Sequence, residues 1–113
     1  MKRNEVVLDG RLLKRSALRY TPAGTPAVDL LIGHRSLQSE AGSERAVRCE
    51  IEAVALGDMA VKLSTLKLNQ PLQVSGFLAQ RSIGNRKLVL HIAGVEPISG
   101  NDQESNRESR RPQ

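Results

Sequence analysis

The chain has one cysteine, Cys49, among 113 residues, so no disulfide can form within it. It has no apolar run approaching the ~18 residues that a membrane-spanning helix needs. It also lacks the apolar core of a signal peptide, so a reducing cytoplasm is the expected setting. Aromatic side chains are nearly absent: Tyr20 and Phe77, with no tryptophan. A domain that stacked bases only on aromatic rings would be poorly equipped with these. The common catalytic signatures are missing too. No G-x-x-x-x-G-K-[ST], H-E-x-x-H or G-x-S-x-G occurs, and the chain reads as a binding protein rather than an enzyme. The two histidines, His34 and His91, fall on separate predicted strands with no cysteine cluster beside them. No metal or cofactor is expected. His34, next to Arg35, could face a ligand, and His91 reads as an exposed strand residue; an isolated strand histidine is usually structural or solvated.

What the chain does have is positive charge. The net charge is +5, with an isoelectric point near 10.0. Residues 101–113 hold three arginines (Arg107, Arg110, Arg111) and three acids (Asp102, Glu104, Glu108), so the whole excess lies in residues 1–100. A basic folded domain favours a polyanionic partner; an ordinary solvated surface is the plainer alternative.

The apolar pattern predicts five strands and one short helix. "EVVLDGRLLKR" (5–15) is a strand interrupted by Gly10. "TPAGTP" (21–26) is a type I turn, with Pro22 second and Gly24 fourth. "AVDLLIGHRS" (27–36) is the second strand, with Val28, Leu30 and Ile32 on one side. The polar "LQSEAGSE" (37–44) reads as a long hairpin loop. "RAVRCEIEAVALG" (45–57) is the third strand. Its Val47, Cys49, Ile51, Ala53 and Ala55 form a buried face, and Arg48, Glu50 and Glu52 a wet one. Asp58 is placed to cap a short helix over 57–67. "LQVSGFLAQR" (72–81), with Gly76 at its centre, and "RKLVLHIAGVEPI" (86–98) are strands four and five. The polar stretch 99–113 contains no apolar residue and is expected to be a disordered tail, leaving 1–98 as the single domain.

Three strands, a short helix and two more strands is the order of an OB-fold, an all-β five-stranded Greek-key barrel with its helix between strands three and four. Gly10 and Gly76 would let the small sheet curl. An open α+β sheet is the rival. In an OB barrel, strands two and three and the loops joining strands one–two and four–five bind oligonucleotides. Arg19 and Tyr20 fall in the first of these loops. Arg35 ends strand two, Arg45 and Arg48 open strand three, and Arg81, Arg86 and Lys87 flank the last turn. These eight residues are the candidate nucleic-acid contacts. A strand rises about 3.3 Å per residue, so Glu52 is expected some 13 Å beyond Arg48, outside the cationic groove.

The block "GHRSLQSEAGSERAVRCEI" (33–51) resembles the bacterial primosomal replication protein N, or PriB, family. "VLDGRL" (7–12), "SALRYTPAGTP" (16–26), "VSGF" (74–77) and "KLVLH" (87–91) support the likeness, which covers about residues 4–98. The resemblance implies a non-catalytic homodimer of OB-folds. It also implies binding of single-stranded DNA and contact with the PriA helicase and DnaT. Family binding positions fall on Arg19 and Arg35, and on Arg81, Arg86 and Lys87 in the last loop. Where the best-known members have a stacking tryptophan this chain has Arg48, and their loop aromatic falls near Ser43. Base–aromatic stacking is worth about 1–3 kcal/mol per base, and an arginine plane can replace part of it. Three readings stand at this point: a replication-restart DNA-binding module, a protein scaffold of the same fold, and an RNA-binding OB domain.

Overall fold

The structure, a computed structural model, describes residues 1–99. Its elements are β1 (Val6–Arg15), β2 (Arg19–Tyr20), β3 (Pro26–Glu40), β4 (Ser43–Leu56), α1 (Asp58–Ser64), β5 (Pro71–Ser82) and β6 (Asn85–Pro97). The sheet runs β1-β5-β6-β4-β3-β2, and β1 also pairs with β3. That last pairing closes β1, β3, β4, β5 and β6 into a five-stranded barrel, consistent with an OB-fold. Only β4 and β6 run parallel, through Ala53–Leu90 and Val54–His91. The expected tail falls outside the described residues beyond Ser99.

The barrel closes because β1 serves two partners. Residues 6–11 pair with β5, and residues 11–15 with β3. The strand must bend sharply between them, and Gly10 permits it: a Cβ there would collide with the Gly33 carbonyl. Gly76 has the same role on β5, where a Cβ would strike the His91 carbonyl beside a register shift. The expected curl at both glycines is thus real. Alternating apolar residues fill the interior. Leu12, Val28, Ile32, Leu72, Val74 and Leu90 are fully buried. Helix α1 packs its buried Ala60 and Leu63 against β3, β4 and β6.

A bulge in β1 decides which way two cations point. Leu12 pairs with Ile32, but Lys14 pairs with Leu31, so Leu13 is the extra residue. Lys14 therefore faces outward. Arg15 turns in beneath the helix and donates to the Leu66 and Leu63 carbonyls at its C-terminal end. Carbonyls at and just beyond a helix C-terminus run short of backbone donors, and a cation there also suits the helix dipole.

Several expectations need correction. The stretch 37–44 is no long loop. Strands β3 and β4 pair without interruption to Glu40–Ser43, joined by Ala41 and Gly42 alone. Both turn residues have positive φ, 53° and 82°, as a type I′ hairpin requires. Cys49 is exposed rather than buried, because it sits where the hairpin has left the barrel. Leu88 shares a face with Leu90 and Ile92, yet it also lies past the rim and is exposed. The helix is shorter than expected. Gly57, with φ 70°, occupies its cap position, and Asp58 is the first helical residue with no side-chain cap bond. The expected turn at 21–24 forms, closed by the Gly24 amide on the Thr21 carbonyl at 2.8 Å. No helix of the described residues is long and apolar enough to cross a membrane.

Candidate nucleic-acid interface

Beyond the barrel, β3 and β4 continue as a two-stranded ribbon. Residues 34–40 and 43–49 pair only with each other. At about 3.4 Å per residue the ribbon projects roughly 20–25 Å. Its root is tied down by His34. Nδ1 donates to the Asp9 carbonyl at 2.7 Å, since a carbonyl can only accept, and Nε2 lies 2.8 Å from the Ser36 hydroxyl. His34 thus anchors the ribbon to β1, with both ring nitrogens bonded within the chain.

The ladder places Arg35 directly opposite Arg48. Facing residues in an antiparallel pair have Cβ atoms about 4.5–5.5 Å apart, and like charges so placed repel. Both arginines are exposed. Neither has an acidic partner among the described residues. Alternation puts them on the outer face, together with Gly33, Glu50, Leu31 and Glu52. Arg45 stands three positions before Arg48 and so points to the other face. There it bonds Glu40 at 2.7 Å. The structure therefore separates two arginines that the sequence reading grouped.

The same outer face continues onto the barrel wall. Glu52 accepts from Arg81 through Oε1 and from Lys87 Nζ through Oε2, the latter at 2.5 Å. These bonds, Lys87 first, hold the Glu52 carboxyl below its ordinary pKa, so it stays ionised at neutral pH. Glu52 was expected outside the cationic groove; instead it lies at the centre of one. Arg81, Arg86 and Lys87 belong to strand ends, since the last turn is only Ile83 and Gly84. Arg86 is exposed at the start of β6. A shallow groove over the wall is lined by Lys14, Asp29, Leu31, Glu52 and Arg81, among others.

Arg19 and Tyr20 form a two-residue strand on Ala27 and Pro26 rather than a loop. Arg19 grips Asp29 through two bonds of 3.1 Å, which raise its pKa further. Tyr20 is exposed, carrying one of the chain's two aromatic rings other than histidine. The other, Phe77, stacks on His91 with centroids 4.9 Å apart and planes within 8°. That pair lies on the outer wall, since Leu72 and Val74 face in. His91 is half-buried, not exposed as its alternation suggested.

The sequence reading did not pick out Phe77, His91 or Lys14 as site residues. Outward alternation from Leu72 and Val74 could have placed Phe77. Lys14 was hidden by the bulge, which shifts its face.

This geometry has close counterparts. A family model described as another single-strand binding protein family matches residues 4–94. The replication restart protein PriB of Bordetella pertussis is 43% identical over 86% of this chain and 91% of its own length. The solved structure of PriB from Ralstonia solanacearum superposes with a TM-score of 0.81 at 36% identity, covering 87% of this chain and all of that one. The single-stranded DNA binding protein of Thermus aquaticus follows with a TM-score of 0.69 and 28% identity, over 86% of this chain and 50% of that one. The chain belongs to the PriB family, within the single-strand binding proteins.

Proposed function

We propose that the protein binds single-stranded DNA along its outer wall and ribbon, as a non-catalytic part of replication restart in the cytoplasm. The observation that carries this reading is the Arg35–Arg48 rung. Two unneutralised guanidinium groups face each other on an exposed ribbon, an arrangement that costs stability unless an anion bridges them. Phosphate is the anion that guanidinium planes recognise best, and the same planes can stack on bases. The names of the relatives favour single-stranded DNA over other polyanions. Contact with the PriA helicase and DnaT belongs to the same reading.

The protein acts as a homodimer in this proposal. Residues 6–8 of β1 have a strand partner on one side only among the described residues. An open strand edge of this kind pairs readily with its own copy across a two-fold axis.

A salt-dependent anisotropy titration with matched DNA and RNA oligonucleotides tests the reading. The expected result is tighter binding to DNA, with a slope of log K against log salt steeper than about −2. Equal or tighter RNA binding would favour an RNA-binding domain. No binding to either, with retention of PriA in a pull-down, would favour a protein scaffold. Sedimentation equilibrium should give twice the 12.4 kDa chain mass. A monomer would remove the strand-edge pairing.

A further inference from the structure

The outer wall carries a carboxylate where its chemistry least wants one. Strand pairing sets Lys14, Leu31 and Glu52 in one row across β1, β3 and β4. Arg81 and Lys87 reach that row from β5 and β6 and bind the two Glu52 oxygens separately. Glutamate is disfavoured in strands, and ion pairs this exposed add little stability. Neither strand formation nor fold stability therefore accounts for it well.

The geometry has a direct chemical parallel. A nucleic-acid phosphate presents two anionic oxygens to an arginine and a lysine, as Glu52 does here. We infer that Glu52 is an affinity-setting residue: its carboxylate occupies the phosphate position between Arg81 and Lys87 and competes with DNA for them. The inference rests on the proposed DNA binding and deepens it. With Glu52 in place the group Lys14, Arg81, Lys87 and Glu52 carries a net charge of +2; without its charge the group carries +3. DNA must displace or share the carboxylate, so this end of the site engages only when the phosphate chain is already held, as at the Arg35–Arg48 rung. The arrangement limits affinity and keeps the complex reversible.

Glu52→Gln tests this with the full chain and a fluorescent oligo(dT). Glutamine keeps the shape and an acceptor but loses the charge. Removing one charge some 7 Å from a phosphate in water corresponds to about a three-fold change in Kd. Repulsion alone accounts for that much; freeing two cations should give more, with a salt slope steeper by about 0.7 for each extra phosphate engaged. The gain should shrink to about three-fold or less when Glu52→Gln is made together with Arg81→Ala and Lys87→Ala, compared with those two alone. An undiminished gain there would mean general repulsion and overturn the competition. Weaker binding by Glu52→Gln would mean that the carboxylate positions the cations for DNA, and it too would overturn the inference. Unchanged affinity, with wild type binding normally, overturns the inference but not the function. No binding by either protein overturns both.

Discussion

Barrel and ribbon are built from the same two strands, yet they obey different rules. In the barrel, β3 and β4 each have neighbours on both sides and bury one face. Leu30, Ile32, Ala53 and Ala55 point inward there, and hydrophobic burial supplies the free energy. Past Gly33 and Glu50 each strand keeps one neighbour and loses its buried face. A two-stranded hairpin is marginal by itself in water. The ribbon persists because the barrel fixes its register at one end and Ala41–Gly42 fix it at the other. The comparison teaches where function can be placed at low cost to the fold. Side chains on the ribbon are free of packing duty, and the Arg35–Arg48 rung uses that freedom.

The largest expected contrast is between two leucines. Leu12 is fully buried, and Leu37 on the ribbon is 58% exposed. Leu12→Ala should destabilise the protein by about 2–5 kcal/mol in urea unfolding. Leu37→Ala should stay within about 0.5 kcal/mol. Equal losses would mean that the ribbon packs against something, most simply a second copy of the chain.

The same division explains what the sequence made legible. Burial on one face writes a period of two, and the barrel strands follow it from Leu8 to Val95. The ribbon carries polar residues on both faces, so 37–44 held no pattern to read and looked like a loop. Cys49 was misplaced for the same reason: its alternation is intact, but the core ends before it. The eight basic and aromatic candidate contacts were picked by residue type. The face of Arg48 was legible too, on the wet side with Glu50 and Glu52; that of Arg45, on the opposite side, was not separated from it, and Lys14, outside the eight, was hidden by the β1 bulge. Likewise, the Glu52 bonds to Arg81 and Lys87 join residues 29 and 35 positions apart, which no local pattern signals.

Next in size is the ribbon's contribution to binding. If Arg48 stacks on bases, its plane matters as well as its charge. Lysine supplies a compact ammonium with no plane. Arg48→Lys should then lose nearly as much DNA affinity as Arg48→Ala, about 1–3 kcal/mol, and most of the loss should persist at high salt. Arg48→Trp should bind as well as wild type. Full affinity for Arg48→Lys at low salt would reduce Arg48 to a phosphate contact. The melting temperature of Arg48→Lys should match wild type, and those of Arg48→Ala and Arg48→Trp should match or slightly exceed it, because they remove the repulsion across the rung.

A smaller effect separates free cations from committed ones. Arg19 is held by Asp29, and Arg45 by Glu40 on the far face of the ribbon. Arg19→Ala and Arg45→Ala should each change DNA affinity by less than about three-fold, below the effect of Arg35→Ala, because each cation is already neutralised. Equal losses from all three in the same titration would mean that DNA wraps both faces of the ribbon and breaks these pairs.

The smallest effect is local to the hairpin turn. Ala41 sits at φ 53°, where an L side chain crowds the following carbonyl. Asparagine tolerates this region better, and Asn-Gly is the preferred pair for a type I′ turn. Ala41→Asn should raise global stability by no more than about 0.5 kcal/mol, because the fold is held by the barrel. Its effect on the ribbon should be easier to detect. Amide exchange at residues 36–47 should slow, while exchange in the barrel stays unchanged. DNA should then bind slightly more tightly, since a stiffer ribbon has less motion to lose when phosphate bridges Arg35 and Arg48. Slower exchange with no gain in affinity would mean that the turn ordered a segment the ligand does not use, and would move the binding surface back onto the barrel wall.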